Sequence, residues 1–144
     1  MLSSYYPAIK SAHVGLAALS FLFYLWRGGM LLANSPNLDS AWARILPHIF
    51  YTLLIAAGAT LATLGELWGQ GWIWLKITLL VGFVVLGAIA FRRHSQLPRG
   101  RRAILWFVGL CLFGFIFAVA GYHHAQVNAP EAAAASAIAL ATAA

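Results

Sequence analysis

Eight ionisable side chains lie within or at the ends of otherwise apolar stretches, and their types suit ligand binding and proton handling. They are His13, Arg27, Arg44, His48, Glu66, Lys76, His123 and His124. An ionisable side chain inside a lipid bilayer costs roughly 2.5 kcal/mol or more, so such residues usually face a protein interior and have a function. We therefore expect a polar seam inside a helical bundle.

Four of these side chains suit a redox cofactor. Neutral imidazole ligates haem iron, and two histidines on different helices can clamp a b-type haem inside a four-helix bundle. His13 and either His123 or His124 lie at similar expected depths in the membrane, so they are the pair that could ligate the haem iron. Lys76 could neutralise a haem propionate. His13 is thus the candidate ligand of the haem iron. A quinone headgroup is the second candidate cofactor, because it needs a similar hydrogen-bond partner.

The remaining polar side chains form a second set, for which structural and lipid-facing roles are expected. Arg27, Arg44 and His48 fall in the opposite half of the bundle, where they form a polar cluster or bind lipid phosphate. Glu66 ends the second apolar run. No nucleophile with a base, phosphate loop or carboxylate pair is present, which does not favour hydrolase or transferase chemistry.

Each functional interpretation has a structural alternative. His13 suits a hydrogen bond between helices, and His123 and His124 suit a solvated helix end. Long basic side chains also extend along apolar surface towards the headgroups, which would account for Lys76 and the arginines without any ligand. The sequence leaves these alternatives open.

The elements that must position these residues are four membrane-spanning helices. The chain has 144 residues, of which 62% are hydrophobic and 8% charged, and its mean hydropathy is +0.83. Soluble domains have about 25% charged residues. About 20 apolar residues cross a bilayer, so we predict spans over residues 6–32, 41–67, 73–91 and 103–124. The fold class is an all-α, integral membrane four-helix bundle occupying residues 1–128.

The spacing of polar and small residues predicts which helix faces are buried. His13, Ser20 and Arg27 are seven apart and share one face with Tyr24, which we expect to point inward. On the second helix the face to be buried is expected to contain Arg44, His48, Thr52, Ile55, Ala59, Ala62 and Glu66. Small residues would let neighbouring helices approach closely, and they lie on the second helix (Ala56, Gly58, Ala59, Ala62) and on the fourth (Gly114, Ala118, Gly121).

Basic residues concentrate in the third connection and predict the topology. They are Arg92, Arg93, Arg99, Arg101 and Arg102. Short loops rich in Lys and Arg stay on the cytoplasmic side, where they neighbour anionic lipids. We therefore expect a multi-pass protein of the bacterial inner membrane with this loop cytoplasmic and both termini periplasmic. Nucleic acid is not an expected partner, and the alanine-rich tail, residues 129–144, is predicted to be disordered or loosely helical.

Several motifs together resemble a family of small bacterial membrane proteins. His13, residues 25–28 (LWRG), residues 42–48 (WARILPH), Lys76 and residues 85–90 (VLGAIA) look like the SirB family over roughly residues 8–120. The resemblance implies a four-helix membrane protein associated with up-regulation of invasion gene expression. Where the family pattern has an Asp before the Thr-Leu-Leu run, this chain has Tyr51. A carboxylate partner for Arg27 or Arg44 is therefore missing.

A more distant similarity is to HemJ-type protoporphyrinogen oxidases. His13, Arg27 and the segment Trp74-Leu75-Lys76 resemble that family's early His, later Arg and Lys after a Trp. The leading interpretation is an accessory or assembly subunit of a redox membrane complex, with other membrane subunits as partners and b-type haem as its candidate cofactor. The alternatives are a HemJ-like porphyrin oxidoreductase and a regulatory membrane protein. The residues do not decide whether the protein is an enzyme, but they favour a role without catalysis.

Overall fold

Four long helices account for most of the chain. A computed structural model describes residues 2–92 and 96–143, without the side chains of residues 2, 3, 124, 127 and 128. The helices are α1 (Tyr6–Leu32), α2 (Ala41–Leu64), α3 (Gly71–Ala90) and α4 (Arg99–Ala143). All four contain stretches long and apolar enough to cross a membrane, the one in α4 being Arg99–His123. The predicted all-α fold with four long apolar helices is confirmed.

Local sequence signals set the helix ends. The Ser40 hydroxyl accepts a hydrogen bond from the backbone N–H of Ala43 at 3.3 Å, which caps the start of α2. α2 ends at Leu64, three residues before the expected 67, because Gly65 caps it and Glu66 has a left-handed backbone with a φ of 52°. α3 and α4 begin two and four residues earlier than expected, at Gly71 and Arg99. α4 continues through Pro130 to Ala143, and the alanine-rich segment is exposed.

The helices pack unequally. α3 packs along α4, α1 packs along α2, and α1 also contacts α4, whereas α2 and α3 do not pack closely on each other. The bundle therefore has a gap between α2 and α3. Two cavities adjoin this gap, and both are lined by residues of α1, α2 and α3. One of them is also lined by residues of α4.

An aromatic core lies between the two cavities. Tyr24, Phe83 and Phe113 are almost completely buried, and Phe83 contacts the other two rings at centroid distances of 4.7 and 4.9 Å. The Tyr24 hydroxyl donates to the Trp106 carbonyl at 3.1 Å, and the Trp106 indole N–H donates to the Tyr24 carbonyl at 3.3 Å. This reciprocal pair joins α1 to α4.

The closest helix approaches are at glycines that the sequence analysis did not select. A Cβ on Gly28 would fall on the Trp106 indole, and one on Gly109 would fall on the Tyr24 hydroxyl. By contrast, Gly114 and Gly121 have no neighbouring atom within 4 Å of a Cβ position, and Ala118 is exposed. The prediction that these three residues form a close helix contact is wrong, because the bundle turns that face of α4 outward.

The buried face of α1 was predicted correctly, and that of α2 was not. Ser20, Tyr24 and Arg27 are buried on α1. On α2 the buried residues are Ala43, Pro47, Leu54 and Ala62. Of the seven residues expected to be buried, Ala62 is buried and the others are exposed. The buried stripe is shifted towards residues 43, 47 and 54, so that Arg44 and His48 lie at the edge of the interface.

Candidate functional site

The polar seam divides into two separate sites. Lys76 and His13 line one cavity, which we call the His–Lys cavity. Three arginines and a histidine line the other, which we call the basic cavity: Arg27, Arg44, His48 and Arg92. Phe83 lines the basic cavity and contacts Phe113, which lines the other. The aromatic core thus separates two sites of different chemistry.

His13 projects from α1 against α2. A Cβ on Gly58 would lie 3.0 Å from His13 Cε1, so the absence of a side chain at this position makes room for the imidazole. The imidazole of His13 lies beside the Leu54 backbone, but its buried Nδ1 atom makes no hydrogen bond of good geometry with any described residue. A buried polar nitrogen without a partner is costly, so it marks a position where a ligand atom would be stabilising.

Lys76 brings the second polar group to this cavity from α3. His13 is seven residues from the start of α1 and Lys76 is five from the start of α3, which corresponds to depths of about 10 and 8 Å along the helices. The cavity has a volume of about 110 Å³. Its other lining residues are apolar: Val14, Ala17, Leu54, Leu80, Phe113, Ile116, Phe117 and Ala120. The arrangement offers two polar groups in an otherwise apolar chamber.

The cavity is too small for a whole porphyrin as the helices stand. Pockets for drug-sized ligands have volumes of about 300 to 1,000 Å³, several times this one. His123 stacks on Trp72 with ring centroids 4.7 Å apart and does not line the cavity. The side chain of His124 lies outside the described residues. Haem ligation by His13 with His123 or His124 therefore stays a prediction that would require side chains to move.

Arg27 forms the inner wall of the basic cavity. Its side chain is 9% exposed, and its Cζ lies 4.1 Å from the centroid of the Phe91 ring, a cation–π contact. Its Nε is buried without a hydrogen-bond partner among the described residues. The ring stabilises the charge of Arg27 but satisfies none of its N–H donors.

The other basic side chains surround the opening of this cavity. Arg44, His48 and Arg92 are exposed, and Tyr51 is partly buried with its ring edge against Phe83. The cavity volume is about 230 Å³. None of the chain's three acidic residues, Asp39, Glu66 and Glu131, is among the described residues that line it. The cluster thus has positive charge and no carboxylate in its wall.

The remaining predicted residues have other positions. Arg102 donates from Nε to the Ala90 carbonyl at 2.7 Å, so it holds the end of α3 to the start of α4. Arg99 and Arg101 are exposed, as expected of lipid-facing groups, and Arg93 lies outside the described residues. Glu66 is exposed in the α2–α3 turn with a φ of 52°. Lipid contact by these arginines stays a prediction.

Sequence reasoning missed three contributors to the basic cavity. Arg92 was assigned to the loop, yet it lines the cavity because α3 ends at Ala90 and the chain stays near the bundle. Phe91 was not selected, although it contacts Arg27. Tyr51 was not predicted to line the cavity either, although it follows Arg44 by seven residues and Pro47 by four, a helical spacing that would have placed it on the same face. No sequence signal linked Phe91 to Arg27.

Comparisons with known proteins give the family. A family model described as "Invasion gene expression up-regulator, SirB" matches residues 6–125. A curated protein of Haemophilus influenzae is 28% identical over 107 residues, which cover 72% of this chain and 84% of that protein. No solved structure gives a significant match. The family match includes α1, α2, α3, the part of α4 up to residue 125, and both cavities.

Proposed function

Because the chain belongs to the SirB family, we propose that it is an accessory subunit of a redox membrane complex in the bacterial inner membrane. In this proposal the His–Lys cavity holds the headgroup of a quinone. The observation that carries it is the buried, unpartnered Nδ1 of His13 in a cavity shared with Lys76. The four apolar helices support the membrane location.

The chemistry of the cavity supports a quinone headgroup. A quinone ring is flat and apolar, with two carbonyl oxygens that accept hydrogen bonds. The imidazole N–H of His13 and the ammonium of Lys76 are donors on different helices, and the rest of the wall is apolar. Both donors lie about 10 Å or less from their helix ends, so a headgroup near the interface could reach them while its tail stays in lipid.

The residues have distinct roles in this proposal. His13 and Lys76 orient the ring by hydrogen bonding, while Leu54 and Phe113 exclude water. Gly58 makes room for the imidazole. A bound quinone would supply reversible two-electron, two-proton chemistry. The protein would accordingly position quinone for its partner complex rather than catalyse a reaction alone.

Two readouts on one preparation test this proposal. The protein is purified in mild detergent, bound quinone is extracted and quantified, and a dithionite-reduced minus oxidised visible spectrum is recorded. We expect quinone near one equivalent and no sharp b-type band. The His13→Ala variant should lose about tenfold in quinone affinity, because it removes a hydrogen bond of roughly 1.4 kcal/mol. His48→Ala, which alters the basic cavity, is the matched control.

The other outcomes separate the alternatives. Equal quinone retention in both variants would refute the role of His13. A b-type band that disappears only in His13→Ala would establish the haem prediction instead. Turnover of porphyrinogen that needs His13 and Lys76 would favour the HemJ-like alternative. Migration as a lone monomer after extraction from native membranes would argue against an accessory subunit.

We also propose the membrane orientation. The basic connection, residues 92–102, would lie in the cytoplasm and both termini in the periplasm, which is supported by the concentration of arginine there. The basic cavity would then face the cytoplasmic headgroup region. The His–Lys cavity would lie towards the periplasmic side.

A regulatory role is the second candidate function. It rests on the description of the matching family as an up-regulator of invasion gene expression. Such a protein would change transcription when deleted, without changing quinone content or respiration. Transcripts are therefore measured in a deletion strain complemented with His13→Ala. Restored transcription in this strain would favour the regulatory role, because an accessory quinone subunit requires His13.

A further inference from the structure

We propose that the basic cavity is a binding site for a phosphate group, with the headgroup of an anionic lipid as its occupant. The inference is independent of any quinone in the other cavity. It rests on the charge, burial and depth of the residues that form this cavity.

The wall of the basic cavity is positively charged. Arg27, Arg44 and Arg92 line one cavity of about 230 Å³, and the described lining contains no carboxylate. Like charges in one partly enclosed space repel each other, and a buried charge is costly without a partner. An anion at the centre would interact favourably with all three guanidinium groups.

Arg27 has a hydrogen-bond donor that no described residue satisfies. This side chain is 91% buried, yet its Nε has no hydrogen-bond partner among the described residues. Arginine has a planar fork of donors that matches two oxygens of a phosphate. Phe91 holds the guanidinium from one face, which restricts its orientation before any ligand binds. The donor is therefore both fixed and available.

The basic cavity lies close to the ends of the helices that form it. Arg27 lies five residues before the end of α1, about 8 Å, and Arg44 lies three residues after the start of α2, about 5 Å. Trp26 and Trp42 are exposed at the same end, 51% and 73%, as is common at membrane interfaces. The cavity thus lies at the level of lipid headgroups. Basic pockets between helices at this level bind lipid phosphates.

The experiment compares two arginine variants of equal charge change. Wild type, Arg44→Gln and Arg101→Gln are purified in mild detergent, and binding of phosphatidylglycerol, phosphatidylcholine and inorganic phosphate is measured by native mass spectrometry and thermal shift. Arg44 lines the cavity, whereas Arg101 is exposed outside it. We expect wild type to prefer phosphatidylglycerol. Arg44→Gln should weaken this binding about tenfold, as for loss of one charge-assisted hydrogen bond, and Arg101→Gln should not.

A second cavity variant, Arg27→Gln, and two control ligands determine how each outcome is interpreted. Arg27→Gln should abolish the preference, and Arg44→Gln is the primary variant because its exposed side chain can be changed without disturbing the core. Equal losses in Arg44→Gln and Arg101→Gln would overturn the proposal, as would equal binding of phosphatidylcholine. A shift with inorganic phosphate that is lost only in the cavity variants would support the phosphate site and identify a soluble occupant.

Discussion

The contact between Gly28 and Trp106 gives the sharpest test of the packing, because a neighbouring glycine provides a matched control. A Cβ on Gly28 would overlap the Trp106 indole, whereas a Cβ on Gly29 would meet no atom within 4 Å. Gly28→Ala and Gly29→Ala add the same methyl group to adjacent residues of one helix. Any difference in stability between them reports the tertiary contact.

Three contributions determine how much Gly28→Ala changes the free energy of unfolding. Overpacking costs about 1 to 3 kcal/mol. Displacing the indole would also break the hydrogen bond from its Nε1–H to the Tyr24 carbonyl, which is worth about 0.6 kcal/mol in a membrane. Ala in place of Gly returns up to about 1 kcal/mol of helix propensity. Gly28→Ala should therefore lower the free energy of unfolding by about 1 to 3 kcal/mol, and Gly29→Ala should leave it unchanged or raise it slightly.

The assay is reversible unfolding in mixed detergent micelles, followed by tryptophan fluorescence and helical circular dichroism. Gly28→Ala should also weaken phosphatidylglycerol binding, because Arg27 is the adjacent residue and its position depends on how α1 contacts α4. Equal stabilities of the two variants would refute the close approach of Gly28 to Trp106. Loss of stability in Gly29→Ala alone would show that α1 is rotated so that Gly29, and not Gly28, faces Trp106.

Two further predictions concern the polar contacts. Tyr24→Phe should lower the free energy of unfolding by about 0.6 kcal/mol, because it removes one interhelical hydrogen bond. Tyr122→Phe, which removes only an exposed hydrogen bond from Gln126 within α4, should have a smaller effect in the same unfolding assay. Gly58→Ala should reduce quinone retention at least about twofold, because its Cβ would lie 3.0 Å from His13 Cε1 and displace the imidazole. Gly82→Ala, whose Cβ would meet its neighbour at 3.7 Å, should retain quinone, and an equal loss in both variants would contradict the proposed role of Gly58.

In the two proposals above, each cavity has a function of its own, whereas a single polar seam would have combined them. Both exist because α2 and α3 do not pack closely, and the aromatic core keeps them apart. A lipid phosphate at one end would hold α1, α2 and the end of α3 together through Arg27, Arg44 and Arg92. A quinone at the other end would then bind between helices whose positions are already fixed.

The sequence alone determined the number and approximate extent of the helices. Backbone hydrogen bonds must be satisfied inside a bilayer, so apolar stretches of about 20 residues can only form helices there. The seven-residue spacing of His13, Ser20 and Arg27 also determined that they share one face of α1. Family membership could be inferred because the motifs around Arg27, His48 and Lys76 occur in order along the chain.

Only the tertiary structure decided which polar groups meet. Lipid is as apolar as the helix surfaces, so hydrophobicity does not select the face that is buried, and the shapes of contacting side chains do. The fit of Trp106 over Gly28 sets how α1 and α4 meet, and the buried stripe of α2 differs from the polar one by a rotation. These contacts place His13 with Lys76 and Arg27 with Arg92, pairs that are more than 60 residues apart in the chain.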